Sequence, residues 1–355
     1  MCIAREEIPK MQLEEVMFTL NEKKFQEYYD FCKISQIPPW ESYPERGSYY
    51  NNSPYVANAV PVDMVFLGDD VTACFEVGAY FQEGMVVKRG GMGSTLKGVC
   101  NAFYANCLQL KPKLAIVQAG LNDMAHLVQK RKKGERIDET DKYAYLGKMR
   151  SYLRKMLDEA KAANVTLWLA SLLPLGKDDF RNELVVRLNT QIQALCQEYN
   201  TTYVDYHSAM CKLDGTMRGE LTFGDYTYPN VKGYNIMYEV LCKHMGKPAR
   251  KYEVNEEEYQ QFVKENYPGD EAYLSNRQRR REFVVKNSQI LLNHIPVDLL
   301  FIGDSITEQY ETSMYFRSYG TVINRGYGGE KMFEIRWSAG NGTPRGQAGG
   351  SVYGN

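Results

Sequence analysis

The sequence predicts an α/β fold in which a parallel sheet lies between two layers of helices, a three-layer α/β/α sandwich. Three observations predict it. Short apolar runs at 62–67, 113–119 and 165–170 are nearly continuous rather than alternating, as in strands buried on both faces. Between them lie stretches of helical periodicity: 141–162 sets Tyr145, Met149, Tyr152, Leu153, Met156 and Leu157 on one face, and 181–199 does so with Leu184, Leu188, Ile192, Leu195 and Tyr199. The two kinds alternate along the chain, the pattern of strand, crossover helix and parallel strand.

Taken in order, residues 1–59 hold a short apolar segment, a helix at 21–33 with Phe25, Tyr28, Tyr29 and Cys32 on one side, and a polar turn region at 42–52. The sheet is expected to start with strand 62–67, helix 73–83, strand 85–88, helix 95–109 and strand 113–119. Helix 141–162, strand 165–170, helix 181–199, strand 202–206 and helix 230–244 complete it.

With 355 residues and 44% apolar content the chain can bury one or two cores. A net charge of -1 leaves no electrostatic footprint for nucleic acid or an anionic membrane, and the basic run from Arg277 to Arg281 reads as a solvated helix face. The first 20 residues lack a basic start followed by an apolar core, and no run approaches the ~20 apolar residues of a membrane helix, so a cytoplasmic protein is expected. The eight cysteines are scattered and read as reduced, mostly buried thiols. No His, Cys, Asp or Glu cluster has ligand spacing, so neither a metal nor a cofactor is expected.

The chain also repeats itself. Val60 to Ser94 aligns with Ile295 to Gly329 without a gap, VPVDMVFLGDD against IPVDLLFIGDS, at a constant spacing of 235 positions. The helix and polar turn of the first 59 residues have counterparts at 255–262 and 267–276. The expected organisation is a complete domain over 1–247 with its core at 60–246, the opening of a second, incomplete copy over 248–337, and a tail over 338–355. The tail is Gly-rich without apolar periodicity, which reads as disorder. A reading-frame shift near Trp337 is the other reading, since suitable codons read one base later give RLETGRPAAKPAAVFTV, much like the missing helix and strand.

In both copies an apolar run enters a Gly-Asp turn and then a helix. Such a turn exposes one side chain beside a helix N-terminus, a place that suits a nucleophile. The later copy puts Ser305 there and the earlier copy Asp70.

Gly303-Asp304-Ser305-Ile306-Thr307, followed after the next strand by Asn324-Arg325-Gly326-Tyr327-Gly328-Gly329, resembles the opening two blocks of the SGNH or GDSL hydrolases. In the first copy, Gly120-Leu121-Asn122-Asp123 is similar to the third block and Asp225-Tyr226-Thr227-Tyr228-Pro229 to the last. The resemblance implies a flavodoxin-like strand order with ligands at the carboxyl ends of the strands. It also implies acyl transfer from an ester to water through a serine acyl-enzyme, with a histidine base, an orienting carboxylate and oxyanion donors.

Placed on the first copy, the resemblance makes Asn122 an oxyanion donor and Asp225 the orienting acid, while Asp70 replaces the nucleophile, Ser94 the second-block glycine and Tyr228 the histidine. Ser94 still offers a backbone N–H, but a tyrosine is a poor proton acceptor at neutral pH, and loss of nucleophile or base costs on the order of a million-fold in turnover. The first copy therefore reads as a pseudoenzyme. Asp70 acting as nucleophile would still lack a base for deacylation, and His126, three residues after Asp123, reads as an ordinary loop or helix-start histidine rather than a replacement base. His207, His244 and His294 do not fit the last block. The second copy has Ser305 and, at Gly329, the backbone donor, but no third or last block follows.

The expected function is thus that of an ester hydrolase family whose microbial members often act on acetylated sugars, making a carbohydrate O-acetyl ester the expected substrate of an intact parent. The competing reading is a non-catalytic carbohydrate-binding or scaffolding module with a pocket formed by Asp70, Ser94, Asn122 and Tyr228. The expected partner is a small-molecule ester or carbohydrate ligand, with no nucleic acid and no membrane, and homo-oligomers are left open.

Overall fold

The first strand of the five-stranded sheet, β1 (Met64–Gly68), is buried at every position. The computed structural model describes Lys23, Asn52 and residues 54–176, 179–224, 228–266 and 278–328; the expectations for the 21–33 helix, Asp225, Gly329 and the tail lie outside the described residues. After β1 come two short helices, α1 (Asp70–Cys74) and α2 (Val77–Tyr80), then β2 (Val86–Gly90), α3 (Leu96–Asn101), α4 (Phe103–Asn106) and β3 (Leu114–Gln118). Next are α5 (Ala125–Lys132), α6 (Glu139–Ala162), β4 (Thr166–Ala170), α7 (Asn182–Glu198), β5 (Tyr203–Val204), α8 (Tyr206–Met210) and α9 (Val231–His244).

All strands run parallel in the order β2-β1-β3-β4-β5, the flavodoxin-like order that the resemblance implies. Side chains on the two faces of the sheet enter two separate cores. Val65, Leu67, Ala115 and Val117 pack against α6 and α7, while Met64, Phe66 and Ile116 pack against α1, α2 and α9. Helices thus cover both faces, giving the three-layer α/β/α sandwich. Five of the six described cysteines are buried, and all six are free. No helix among the described residues is long and apolar enough to cross a membrane.

The structure departs from the expected helices in ways that have physical causes. The helix expected over 73–83 is broken at Phe75 and Glu76, where the chain turns extended. Groups from outside satisfy the backbone that the break frees: Lys88 Nζ donates to the carbonyls of Ala73 (2.8 Å) and Phe75 (3.1 Å). Gln289 donates to Cys74 O (2.8 Å) and accepts from Glu76 N–H (3.1 Å). The expected 95–109 helix likewise divides at Ala102. Helix α5 carries only Leu127 fully inward, too little apolar periodicity to show in the sequence.

A second arrangement follows. Helices α10 (Glu256–Asn266) and α11 (Gln278–Leu291) lead to β6 (Leu299–Gly303), α12 (Ser305–Gln309), α13 (Thr312–Phe316) and β7 (Val322–Gly326). β6 and β7 pair in parallel as a separate two-stranded sheet. The local geometry of β1 to β2 recurs in it. Asp69 and Asp304 each cap the following helix by accepting an N–H two residues on, at 3.2 and 3.0 Å. A Cβ on Gly68 or Gly303 would collide with the threonine hydroxyl four residues on, and one on Gly90 or Gly326 with the backbone of the crossing helix.

The gap-free alignment needs one correction. β1 pairs Gly68 with Gly90, whereas β6 pairs Gly303 with Gly326, so the later arrangement holds one more residue between its strands. Positive-φ Gly84 and Gly320, each close to an aspartate carboxylate at the strand entrance, place the extra residue before them.

These close approaches give a stability prediction. Gly68→Ala would set a Cβ 2.2 Å from both Gln118 O and Thr72 Oγ1 and is expected to cost about 3 kcal/mol or more. Gly147→Ala, in an open position on α6, is expected to stabilise by about 1 kcal/mol. Urea unfolding of the two variants checks both.

Candidate active site

Three segments at the carboxyl ends of β1, β2 and β3 meet one from the loop before α9. Asp70 is the first residue of α1, and the chain reaches it through the Gly68-Asp69 turn, where no side chain at 68 is tolerated. Its carboxylate is fully engaged. Oδ2 accepts from Asn122 Nδ2 at 2.5 Å and from Gly93 N–H at 3.1 Å, while Oδ1 accepts from the Tyr228 hydroxyl at 3.1 Å. A backbone amide and an asparagine amide converging on one oxygen are the donor set that stabilises an oxyanion in acyl transfer. Here an acid side chain of the protein fills it.

The third segment is held by its own chemistry. Gly120 takes φ +140 and its carbonyl accepts from buried Tyr145 Oη at 3.0 Å, which turns the chain at the end of β3. Asn122 then reaches both Asp70 and Ser94 O, the latter at 2.9 Å. Asp123 caps α3 by accepting from Leu96 N–H (2.6 Å) and Lys97 N–H (3.3 Å), tying the third segment to the second. Burial raises the Asp123 carboxyl above its ordinary range.

Ser94 is corrected as a donor. Its N–H bonds Gly91 O at 3.1 Å, and the amide aimed at Asp70 belongs to Gly93. The extra residue in the later arrangement is the reason: since Gly90 corresponds in register to Gly326, counting onward along the sequence matches Gly93, not Ser94, with Gly329. The signal was present in the sequence as Lys88-Arg89-Gly90 beside Asn324-Arg325-Gly326. Glycine at 93 is also required by its φ of +75.

Beside these groups lies a cleft of about 460 Å³ including its open mouth, lined by Leu121, Leu172, Leu173 and Leu175 together with Asp69, Asp70, Gln118, Asn122 and Tyr228. Burial, then the charge of Asp70, pushes the Tyr228 phenol above its ordinary value, so it donates rather than accepts. His126 is exposed, with Nδ1 3.2 Å from Asp123 O, and does not line the cleft. His207 sits at the start of α8, and burial lowers its pKa. Ser305 is the first residue of α12, half-buried behind its Asp304 cap, and belongs to the two-stranded arrangement rather than to this cleft. Near it, Gly328 N–H donates to Glu308 Oε2 at 2.7 Å.

Residues 76–236, which hold most of the five-stranded part of the chain, match the model of the GDSL-like Lipase/Acylhydrolase family. Among solved structures, a putative acylhydrolase from Bacteroides fragilis is 19% identical, covering 59% of this chain and 96% of its own, with a TM-score of 0.45. A GDSL-like lipase from Bacteroides thetaiotaomicron is 19% identical, covering 62% and 98%, with a TM-score of 0.43. A catalytic mutant of an acetylxylan esterase from Geobacillus stearothermophilus is 18% identical, covering 54% and 99%, with a TM-score of 0.44. The search of curated proteins gave no match.

The site carries its own pH signature. Asp69 is buried, and burial, then the neighbouring Asp70 charge, raises its pKa from 3.8 to about 8. The folded chain keeps this proton until about pH 8, whereas the unfolded chain releases it near 3.8. Folding takes up a proton between those values, so this group's contribution to stability falls as pH rises through that window. Asp69→Asn keeps an oxygen for the Val71 N–H without the ionisation. Its stability relative to the wild type is expected to increase from pH 4.5 to pH 8, as measured by urea unfolding at each pH.

Proposed function

We propose that the chain is a member of an ester-hydrolysing lineage in which the first domain no longer hydrolyses esters, and that Ser305 is the nucleophile position of a second copy opening over residues 248–337. The observation that carries the reading is Asp70. Its carboxylate takes the place of a nucleophile and at the same time occupies the Gly93 and Asn122 donors that an acyl oxyanion would need. Among the described residues no histidine or other base faces Asp70, whose Oδ1 instead accepts from the Tyr228 hydroxyl, itself a donor. Asp225 is proposed as the retained orienting acid and Gly329 as the oxyanion-side donor of the second copy.

The duplication is supported by the recurring caps, glycine contacts and parallel pairing of β1 to β2 and β6 to β7. For the substrate of an active parent we propose a carbohydrate O-acetyl ester, which agrees with the leucine-lined cleft. An acetyl group is apolar and short, and the sugar would lie across the open mouth. A carbohydrate-binding role for the first domain is the second reading, favoured by the polar lining of Asp70, Asn122 and Tyr228.

A short acetate ester assay tests the proposal. The wild type and Asp70→Ala are expected to show no turnover above background. Turnover that survives Ser305→Ala but is lost in Asp70→Ala would overturn the pseudoenzyme assignment.

A further inference from the structure

The two arrangements touch through contacts that are reciprocal. Glu76 Oε1 pairs with Arg325 Nη1 at 3.2 Å, and Glu311 Oε1 pairs with Arg89 Nη1 at 3.1 Å. Glu311 lies 235 positions after Glu76, and Arg325 lies 236 after Arg89, the spacing set by the extra residue before β7. Each glutamate therefore meets the counterpart of the other's arginine. The side chains are nearly enclosed, at 5 and 11% exposure for Arg325 and Glu76 and 9 and 16% for Arg89 and Glu311.

The supports of these pairs are also equivalent. Asn52 Oδ1 accepts from Arg89 Nη2 at 3.0 Å, and Asn287 Oδ1, 235 positions later, accepts from Arg325 Nε at 3.0 Å. Ala59 and His294, a further pair at the same spacing, both have positive φ, of 51 and 49. Gln82 and Arg317, equivalent residues, touch each other, with Arg317 Nη2 donating to Gln82 O at 3.5 Å. A residue meets its own equivalent only near a symmetry axis. The small cavity at that point is lined by both members of four equivalent pairs, Gly78 and Ser313, Gln82 and Arg317, Gly84 and Gly320, and Val86 and Val322. The match is not complete: Gln289 reaches Cys74 O and Glu76 N–H, while its counterpart Pro54 has no side-chain amide, and Tyr55 instead donates to Glu311 at 2.8 Å.

A contact in which residue i meets j and j meets i is the mark of an isologous, two-fold interface. Resting on the duplication reading, we infer that the α2 and β2 face of the acylhydrolase domain is a docking surface for a second domain of its own kind, and that the two copies in this chain meet on it across an approximate two-fold axis between Gln82 and Arg317. The interface joins functional parts. Each glutamate follows the helix that begins with the nucleophile position, Asp70 or Ser305, and each arginine lies on the strand entering the oxyanion-side loop. Glu76 is thus a positioning residue for the second copy: through Arg325 it fixes β7, the strand that precedes Gly328. The first copy can keep this role after its own nucleophile is gone.

Charge reversal in the full chain tests the docking, read by hydrogen exchange of residues 322–326. Glu76→Arg, Arg325→Glu, Arg89→Glu and Glu311→Arg are each expected to speed exchange there by roughly 100-fold, since each leaves a buried charge unpaired. Partner combinations, Glu76→Arg with Arg325→Glu and Arg89→Glu with Glu311→Arg, are expected to recover to within about tenfold of wild type. The combination Glu76→Arg with Glu311→Arg is expected not to recover. Glu76→Gln and Glu311→Gln serve where a reversal prevents folding, and they are expected to speed exchange in the same segment. Unchanged exchange in the single variants, or equal recovery in the mismatched double, would overturn the inference. An experimental structure separates it from the duplication itself. If residues 54–90 superpose on 289–326 through a rotation far from a half-turn, the docking inference fails while duplication stands; if they do not superpose at all, duplication fails first.

Discussion

The site depends on how closely α1 crosses the ends of β1 and β2. Gly68 and Gly90 leave room for Thr72 and Ala73 to lie directly on the strand ends, and a single Cβ at either glycine would strike the sheet or the helix backbone. That crossing holds residue 70 over the carboxyl edge of the sheet, within hydrogen-bond distance of both Gly93 and Asn122. The same crossing, with Gly303, Gly326 and Thr307, holds Ser305. What differs between the two is the side chain delivered, not the geometry that delivers it.

Asp70 closes a hydrogen-bond network with Gly93, Asn122 and Tyr228. A serine at this position would place a neutral oxygen near the donors and leave them for substrate; the longer carboxylate reaches them directly and is also held by Tyr228. Charge-assisted bonds of this kind are roughly twice as strong as neutral ones. The three partners tie the loop after β2, the third segment and the segment before α9 to one carboxylate. The reciprocal salt bridges then join this part of the chain to β7 and to the segment after α12.

The sequence carried the sheet well, because near-continuous apolar strands between amphipathic helices admit few other folds, and the strand order followed from the resemblance. It carried Asp70, Asn122 and Tyr228 to one place through the spacing of the blocks. It missed the helix break at Phe75 and Glu76, since the groups that make it affordable, Lys88 and Gln289, arrive from elsewhere in the chain. It assigned Ser94 where Gly93 acts, because identical glycines on both sides of a one-residue insertion hide the shift until the strands are paired. The docking face was invisible for the same reason, as Glu76 and Arg325 look like ordinary surface charges until the fold brings them together.

The Asp70 carboxylate occupies the Gly93 and Asn122 donors. The most direct measurement is the amide proton resonance of Gly93 in isotopically labelled protein. A hydrogen bond to a carboxylate moves that resonance downfield, so it should shift upfield in Asp70→Gly and return downfield when acetate is added to that variant. A Gly93 resonance that does not respond to removal of the Asp70 side chain would contradict the account.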